Sequence, residues 1–310
     1  MNSEFVDIFV PSYHRPKSCK TIQYFAKLGW PAEKLYVFID SETDDKEQYR
    51  AMCDKVRCNL VVFDMAEARR RYDYVHRPTP TRRSAGQARN MFQDYAKSVG
   101  IQYYCVIDDD TVHYEVRHYG AKTKLCDILQ LQSVFNAIRE FMERQHIGVF
   151  GIAQTGDLIG GMRENKIYQY KVMNTTFYNV PYIYRGERGV QDNDTSMFAS
   201  VYNAGLFTGS TYQGIVLSQT QSAVQKGGLT DLYREAKLLN KALVVPIQFP
   251  SAVYAESQKK NGGRLHHHIV KNNIIPRIIK NAGGRSNIAW DTYPEDYPFT
   301  NEPRRKDVKK

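Results

Sequence analysis

Short apolar runs alternate with stretches of helical periodicity along the first third of this chain, and that alternation leaves little choice of fold. Phe5 to Val10, Leu35 to Ile39, Leu60 to Phe63 and Tyr103 to Ile107 are too short for helices and rich in β-branched or aromatic residues. Between them Ile22, Phe25, Ala26 and Leu28 recur at helical spacing, and residues 45 to 55 also read as helix. Ser84 to Ser98 carries Ala85, Ala88, Met91, Phe92, Tyr95 and Ala96 on one face. Strands and helices in such alternation build an α/β fold, a mostly parallel central sheet flanked by helices. Ligands of these sheets bind at the carboxyl ends of the strands. Pro11 to Arg15, Asp40 and the triplet Asp108-Asp109-Asp110 all fall at those ends.

The triplet is the chemically demanding position. Adjacent carboxylates repel one another unless a cation sits among them, and Mg2+ or Mn2+ would take their oxygens while keeping positions open for phosphates. Strand alternation puts Asp108 and Asp110 on one side and Asp109 on the other, an Asp-x-Asp clamp. The plainer alternative is a solvated acidic turn that ends a buried strand.

Beyond it, Leu125, Ile128, Leu129, Val134, Phe135, Ile138, Phe141 and Met142 form the stripe of a long amphipathic helix. Ile147 to Ala153 reads as a strand, and Ile167 to Val172 and Thr176 to Tyr184 as Tyr-rich alternating strands. Leu206 to Thr211, Ile215 to Leu217 and Ala242 to Ile247 read as further strands, with a helix near Leu229 to Leu239. Asn287 to Pro303 looks like an extended arm. No internal repeat or low-complexity linker separates the halves, so one continuous structure is expected.

Lysine and arginine number 43 against 33 acids, a net charge of +10, which favours polyanionic partners such as nucleic acid, an anionic surface or nucleotides. The excess is concentrated in Arg69, Arg70, Arg71, Arg77, Arg82, Arg83 and Arg89, and again in the tail from Arg304 to Lys310, which reads as a solvated end. Cys19, Cys53, Cys58, Cys105 and Cys126 form no C-x-x-C pair, so free thiols are expected rather than a zinc site or disulfides. No run has the length of a membrane span, and the amino terminus lacks a signal segment; the expected location is the cytoplasm.

At this point the layout resembles the GT-A glycosyltransferases, which move a sugar from a nucleotide sugar to an acceptor with the help of a metal. Val10-Pro11-Ser12-Tyr13-His14-Arg15 is similar to the family's first nucleotide-contacting loop, and Asp40 stands where the family places an acid that reads the base. Gly86-Gln87-Ala88-Arg89-Asn90 resembles its Gly-x-x-x-Ala-Arg-Asn helix opening, with the glycine closer to the alanine than usual. Asp108-Asp109-Asp110 resembles the metal motif.

The resemblance implies a GT-A fold with a nucleotide-sugar-binding half over 1–155, an acceptor-binding half over 156–302 and a basic tail over 303–310. It implies a donor site of Pro11, Ser12, Tyr13, Arg15, Asp40, Arg83, Arg89, Asp108 and Asp109, and Mn2+ or Mg2+ on Asp108 and Asp110. A carboxyl-terminal histidine completes the metal shell in such enzymes. The sequence does not choose among His266, His267 and His268, of which His267 is taken as the candidate, and a polar surface loop is an equal alternative. Gly186 to Thr195 resembles the acceptor-side acid pair before a helix, with Gln191 in place of the usual Glu. Asp192 is then the first choice of general base and Asp194 the second, while helix capping is the alternative role for both.

The Pro-Ser-Tyr-x-Arg-Pro opening and the Asp triplet further resemble a phage group, the TET-associated glycosyltransferases and related pyrimidine glycosyltransferases. These decorate hydroxymethylated bases in DNA, which implies a UDP-sugar donor, a DNA acceptor, and the host cytoplasm if the chain is phage-encoded. Neither a membrane nor a protein partner is expected. Tyr168, Tyr170, Phe177, Tyr178, Tyr182 and Tyr184 could stack an extruded base, or could simply be good strand residues. Competing expectations are a polysaccharide, lipid-linked or protein acceptor on the same fold, a metal-dependent nuclease or nucleotidyltransferase, and a non-catalytic DNA-binding module.

Overall fold

Asp7–Pro11 forms β1, a strand buried on both faces, and the principal sheet grows outward from it. The computed structural model describes residues 4–71, 85–117, 124–145, 147–152, 167–168, 172, 174–182, 193–203, 208–211, 216–221, 238–258 and 264–270. After β1 come α1 (Lys20–Leu28), β2 (Leu35–Asp40), α2 (Lys46–Val56), β3 (Asn59–Phe63), α3 (Met65–Arg71), α4 (Ala85–Ser98) and β4 (Tyr103–Ile107). The chain then forms β5 (Thr111–Arg117), β6 (Lys124–Leu125), α5 (Ile128–Gln145), β7 (Val149–Gly151), β8 (Ile167–Tyr168) and β9 (Thr175–Asn179). The remaining elements are α6 (Asn193–Asn203), β10 (Thr208–Thr211), β11 (Val216–Gln221), α7 (Leu238–Gln248), β12 (Val253–Gln258) and β13 (Arg264–Ile269).

The strands assemble into an 8-stranded sheet of order β3-β2-β1-β4-β9-β7-β10-β8, a 3-stranded sheet β11-β5-β6 and a 2-stranded sheet β12-β13. In the large sheet β3, β2, β1 and β4 are mutually parallel, and only β9 and β8 run against the rest. This is the mostly parallel α/β arrangement expected from the sequence.

Alternate residues of one strand feed opposite cores. Ile8 and Val10 of β1, with Cys105 and Ile107 of β4, pack against Phe25 of α1, Tyr49 of α2 and Phe135 of α5. Phe9, Tyr104 and Val106 face the other way, onto Ala88 and Phe92 of α4 and Met197 of α6. Because both faces are covered, the strands read as continuous apolar runs rather than alternating ones. Phe9 stacks on Tyr104 at 4.5 Å and Tyr104 on Tyr178 at 5.0 Å, so aromatic rings bridge β1, β4 and β9.

Several expectations need correction. Ala242 to Ile247 is not a strand but part of α7, whose Ala242, Val244 and Val245 are buried while Ile247 is exposed. A short apolar run has no period that separates strand from buried helix, and the helix here is the cover of the β12-β13 hairpin. The stripe assigned to the long helix starts too early. Leu125 lies in β6 and is 66% exposed, and Leu129 on α5 is 70% exposed, whereas Leu131, Phe135, Ile138 and Met142 are the buried positions. Phe177 and Tyr178 are buried in the two cores and offer no face to a base. The long strand expected over Thr176 to Tyr184 is only β9, followed by a 3-10 turn over Val180–Tyr182. The helix near Leu229 to Leu239 falls mostly outside the described residues, as do Tyr170, Tyr184, the arm from Asn287 and the basic tail. β5, β12 and β13 were not anticipated.

Candidate active site

The parallel strands bring their carboxyl ends to one edge, and three loops meet there. After β1 the chain continues the ladder for one step, Ser12 N–H donating to the Phe38 carbonyl at 3.0 Å, and then turns sharply with His14 at φ 55. After β4 it reverses through Asp108 to Thr111, where the Thr111 N–H reaches back to the Asp108 carbonyl at 3.4 Å, and β5 begins. Thr21, buried near the start of α1, braces this turn. Its hydroxyl donates to the Asp108 carbonyl and accepts from the Thr111 N–H at 3.1 Å, while its own N–H reaches the Asp109 carbonyl at 3.3 Å.

The three acids of the turn have different surroundings. Asp109 points into the protein and is 5% exposed. Arg15 Nη1 lies 2.6 Å from its Oδ1, and Ser12 Oγ donates to its Oδ2 at 2.7 Å. Burial raises the Asp109 pKa, and the Arg15 guanidinium and the Ser12 hydroxyl pull it back. Asp108 is partly exposed and accepts from Arg89 Nη2 at 2.9 Å. Asp110 is pushed up to about 6, first by burial and then by the charges of Asp108 and Asp109. Burial beside two other carboxylates favours the protonated form, and Arg15 only partly offsets it.

The sequence argument gave Asp109 the far side of a strand, and the structure puts it on the far side of a turn with its oxygens held by loop residues. Ser12, Arg15 and Asp109 are thus drawn into one cluster, and Arg89 and Asp108 into a second beside it. Pro11 ends β1, and Tyr13 is half-buried with its ring 3.9 Å from that of His14. Asp40 is buried at the end of β2, and its Oδ1 accepts from the Glu42 N–H at 2.8 Å. Arg83 and Asp192 lie outside the described residues.

Part of the basic segment is already neutralised by the protein's own acids. Arg69 forms a two-pronged pair with Glu42 at 2.6 and 2.9 Å. Arg70 and Arg71 each reach Glu67 at 2.8 Å, and Arg71 also reaches Asp94 at 2.6 Å. These residues therefore carry less free charge for a polyanion than the sequence promised.

Asp194, the second candidate for general base, sits in the first turn of α6. Its neighbour Thr195 has Oγ1 3.1 Å from Nε2 of His267, which is buried on β13. His268 is exposed on the opposite face of the strand, its ring tilted against that of Tyr254 at 5.0 Å, and His266 Nδ1 is 2.8 Å from the His267 carbonyl. Strand alternation singles out the middle histidine as the inward one, and it joins the start of α6. Among the described residues, no group of three His, Cys, Asp or Glu side chains stands together as a ready metal cage.

Tyr49 and Thr21 were missed. Tyr49 is wholly buried on α2, with its hydroxyl 2.8 Å from Ser12 Oγ and 2.9 Å from the Arg15 N–H. Helical spacing marks it as inward-facing, but nothing in the sequence assigns its hydroxyl to the loop.

Residues 6–228 match the family of TET-associated glycosyltransferases, a span of well over half of the 310-residue chain. The chain belongs to the TET-associated glycosyltransferases. As such it is an enzyme of sugar transfer, and the resemblance read from its loops and acids is borne out. Solved structures of glucosyl-3-phosphoglycerate synthase from Mycobacterium tuberculosis are also similar to this TET-associated glycosyltransferase. The complex with Mg2+ and UDP matches with 9% identity and a TM-score of 0.45, over 86% of either chain. The complex with Mn2+, UDP-glucose and phosphoglyceric acid matches with 10% identity and a TM-score of 0.45, again over 86% of either chain. No curated protein matches the sequence. No helix among the described residues is long and apolar enough to cross a membrane.

Proposed function

We propose that this glycosyltransferase moves a sugar from a nucleotide sugar, with UDP as the nucleotide, to the hydroxymethyl group of a modified pyrimidine in DNA. The observation that carries the donor half is the acid turn at the carboxyl ends of β1 and β4, interleaved with the guanidinium groups of Arg15 and Arg89. A diphosphate and a divalent cation together complement such a mixture of charges.

The residues fit Mn2+ or Mg2+. Asp108 and Asp110 offer hard oxygen ligands from one turn, where burial and then the neighbouring carboxylates disfavour the charged form of Asp110. Magnesium-like ions are ordinarily held by one or two carboxylates plus substrate phosphates and water, so a complete protein cage is not required. When bound, the ion would neutralise charge that develops on the departing diphosphate. His267 is the remaining candidate ligand.

The chain's own residues would divide the work as follows. The loop from Pro11 to Arg15 and Asp40 hold the nucleotide, Arg89 faces the diphosphate, and Asp109 fixes the loop to the acid turn. As the acceptor oxygen bonds to the anomeric carbon, the bond to the diphosphate oxygen breaks and the acceptor hydroxyl loses its proton. Asp192 takes that proton, with Asp194 as the second candidate, from the side opposite the leaving group.

DNA as acceptor is supported by the family's association with modified-base chemistry and by the net charge of +10. The deciding experiment is mass spectrometry of nucleosides released from hydroxymethylcytosine or hydroxymethyluracil DNA after incubation with enzyme, Mn2+ and a panel of nucleotide sugars. A pyrimidine nucleoside heavier by one hexose or pentose is expected. Donor consumption with every such DNA unchanged would contradict the acceptor.

A further inference from the structure

Ser12, Arg15, Tyr49 and Asp109 form a closed ring of hydrogen bonds whose direction can be read from the chemistry of its members. Asp109 as a carboxylate only accepts, so the single Ser12 proton goes to Oδ2 at 2.7 Å. Ser12 Oγ must then accept from the Tyr49 hydroxyl at 2.8 Å. The Tyr49 oxygen in turn accepts the Arg15 N–H at 2.9 Å, and the Arg15 guanidinium closes the circuit on Oδ1 at 2.6 Å. Arg15 donates twice and Asp109 accepts twice, while Ser12 and Tyr49 each accept one bond and donate one.

The ring spans elements far apart in sequence, which is why its geometry is informative. Ser12 and Arg15 lie in the loop after β1, Asp109 in the turn after β4, and Tyr49 on α2. Tyr49 is 0% exposed and packs within the core cluster that includes Ile8, Val10 and Ile107. Burial raises its pKa above the ordinary phenol value, so the hydroxyl keeps the proton that it donates.

We infer that Tyr49 is a positioning residue of the donor site. Being wholly buried, it would act on donor and ion only through the loop. Its hydroxyl sets the curvature of the loop from Ser12 to Arg15 and, through Ser12, the attitude of the acid turn, so that Asp109 stays inside while Asp108 and Asp110 keep partial exposure. This rests on the acid turn being the donor site.

The test is a double-mutant cycle on full-length protein, Tyr49→Phe, Ser12→Ala and both, read by the KM for the nucleotide sugar, the half-saturating Mn2+ concentration, kcat and thermal melting. Tyr49→Phe keeps the ring volume and removes one bond. It is expected to raise donor KM and Mn2+ half-saturation by about tenfold, roughly the effect of losing one well-placed hydrogen bond. In the Ser12→Ala background the same change is expected to add less than about twofold, because the circuit is already open. Unchanged donor KM and Mn2+ dependence in a melting-destabilised Tyr49→Phe would make the residue merely structural and overturn the inference. Should that variant not fold, Tyr49→Phe is replaced as the probe by Ser12→Ala with donor and Mn2+ titration; unaltered values there overturn the inference as well. Wild-type protein that binds no nucleotide sugar would sink the donor-site assignment itself, a result distinguishable from equal binding by wild type and variant.

Discussion

Arg89 Nη2 lies 2.9 Å from Asp108 Oδ1, so a guanidinium from α4 rests directly on the first acid of the turn after β4. Helix and strand meet here because Ala88 and Phe92 of α4 pack on the face of the sheet that carries Tyr104 and Val106. The pair is only partly exposed, and a cation held at that point is placed to meet negative charge that arrives at the turn.

Replacing Arg89 with Met should therefore cost more in turnover than in folding. A loss of about 10²- to 10³-fold in kcat is expected, on the scale of removing one preorganised charge-stabilising donor. Single-turnover rates at saturating donor measure it, and a change confined to KM would place Arg89 in ground-state binding alone.

The Arg15–Asp109 pair should matter chiefly for stability. Side-chain exposures of 10% and 6% make it a buried pair, and removing one partner strands the other. Arg15→Met is expected to cost about 3–5 kcal/mol in urea unfolding, with Arg15→Met/Asp109→Leu less damaging than the single change. Equal stability of Arg15→Met and wild type would show that solvent rescues the lone Asp109.

Asp110 gives the pH dependence a sign. Its pKa rises from 3.8 to about 6, so the metal-free fold enjoys a stabilising contribution that is complete below pH 3.8 and lost as pH climbs through about 6. Metal affinity runs the other way, since the ion competes with a proton below about 6. Melting of the metal-free protein across pH 4 to about 8 should show Asp110→Asn gaining on wild type as pH rises. Parallel curves would remove Asp110 as the responsible group.

On the acceptor side, Asp192→Asn is expected to slow transfer by about 10²- to 10⁴-fold with donor binding retained, and Asp194→Asn to act mainly through the start of α6. Near-normal rates for Asp192→Asn, with a collapse for Asp194→Asn, would exchange the two roles. His267→Ala separates its two possible duties. A weakened Mn2+ response marks a ligand, while an unchanged response with reduced melting marks the Thr195 contact as its whole contribution.

Much of the fold of the first third was legible because β1, β2 and β4 are mostly buried and the edge strand β3 still carries an apolar run. Continuous apolar runs and well-marked ends located β2, β3 and β4 to within a residue. Ser12, Arg15, Arg89 and the acid triplet stood out in the sequence through their resemblance to a family's loops, and the structure adds that Ser12 and Arg15 bond to Asp109 and Arg89 to Asp108. Tyr49 did not, since a buried Tyr on a helix looks like any core aromatic until its hydroxyl is seen to reach a loop 37 residues away. β5 is weakly marked in the sequence, since Thr111 to Arg117 offers only Val112, Tyr114 and Val116 as apolar residues and its strand form depends on pairing with the distant β11 and with β6. α7 was misassigned because Val244, Val245 and Pro246 speak for extended chain, and only packing against β12 and β13 decides for helix.

The central claim is that the Asp108–Asp110 turn holds a divalent ion for the diphosphate of a nucleotide sugar. Calorimetric titration of UDP-glucose into wild type and Asp110→Asn, each with and without Mn2+, tests it most directly. The account predicts tight binding only for wild type with Mn2+, and an Asp110→Asn protein that melts cooperatively yet ignores the ion. Mn2+-independent binding by wild type, or the same Mn2+ enhancement in both proteins, would contradict it.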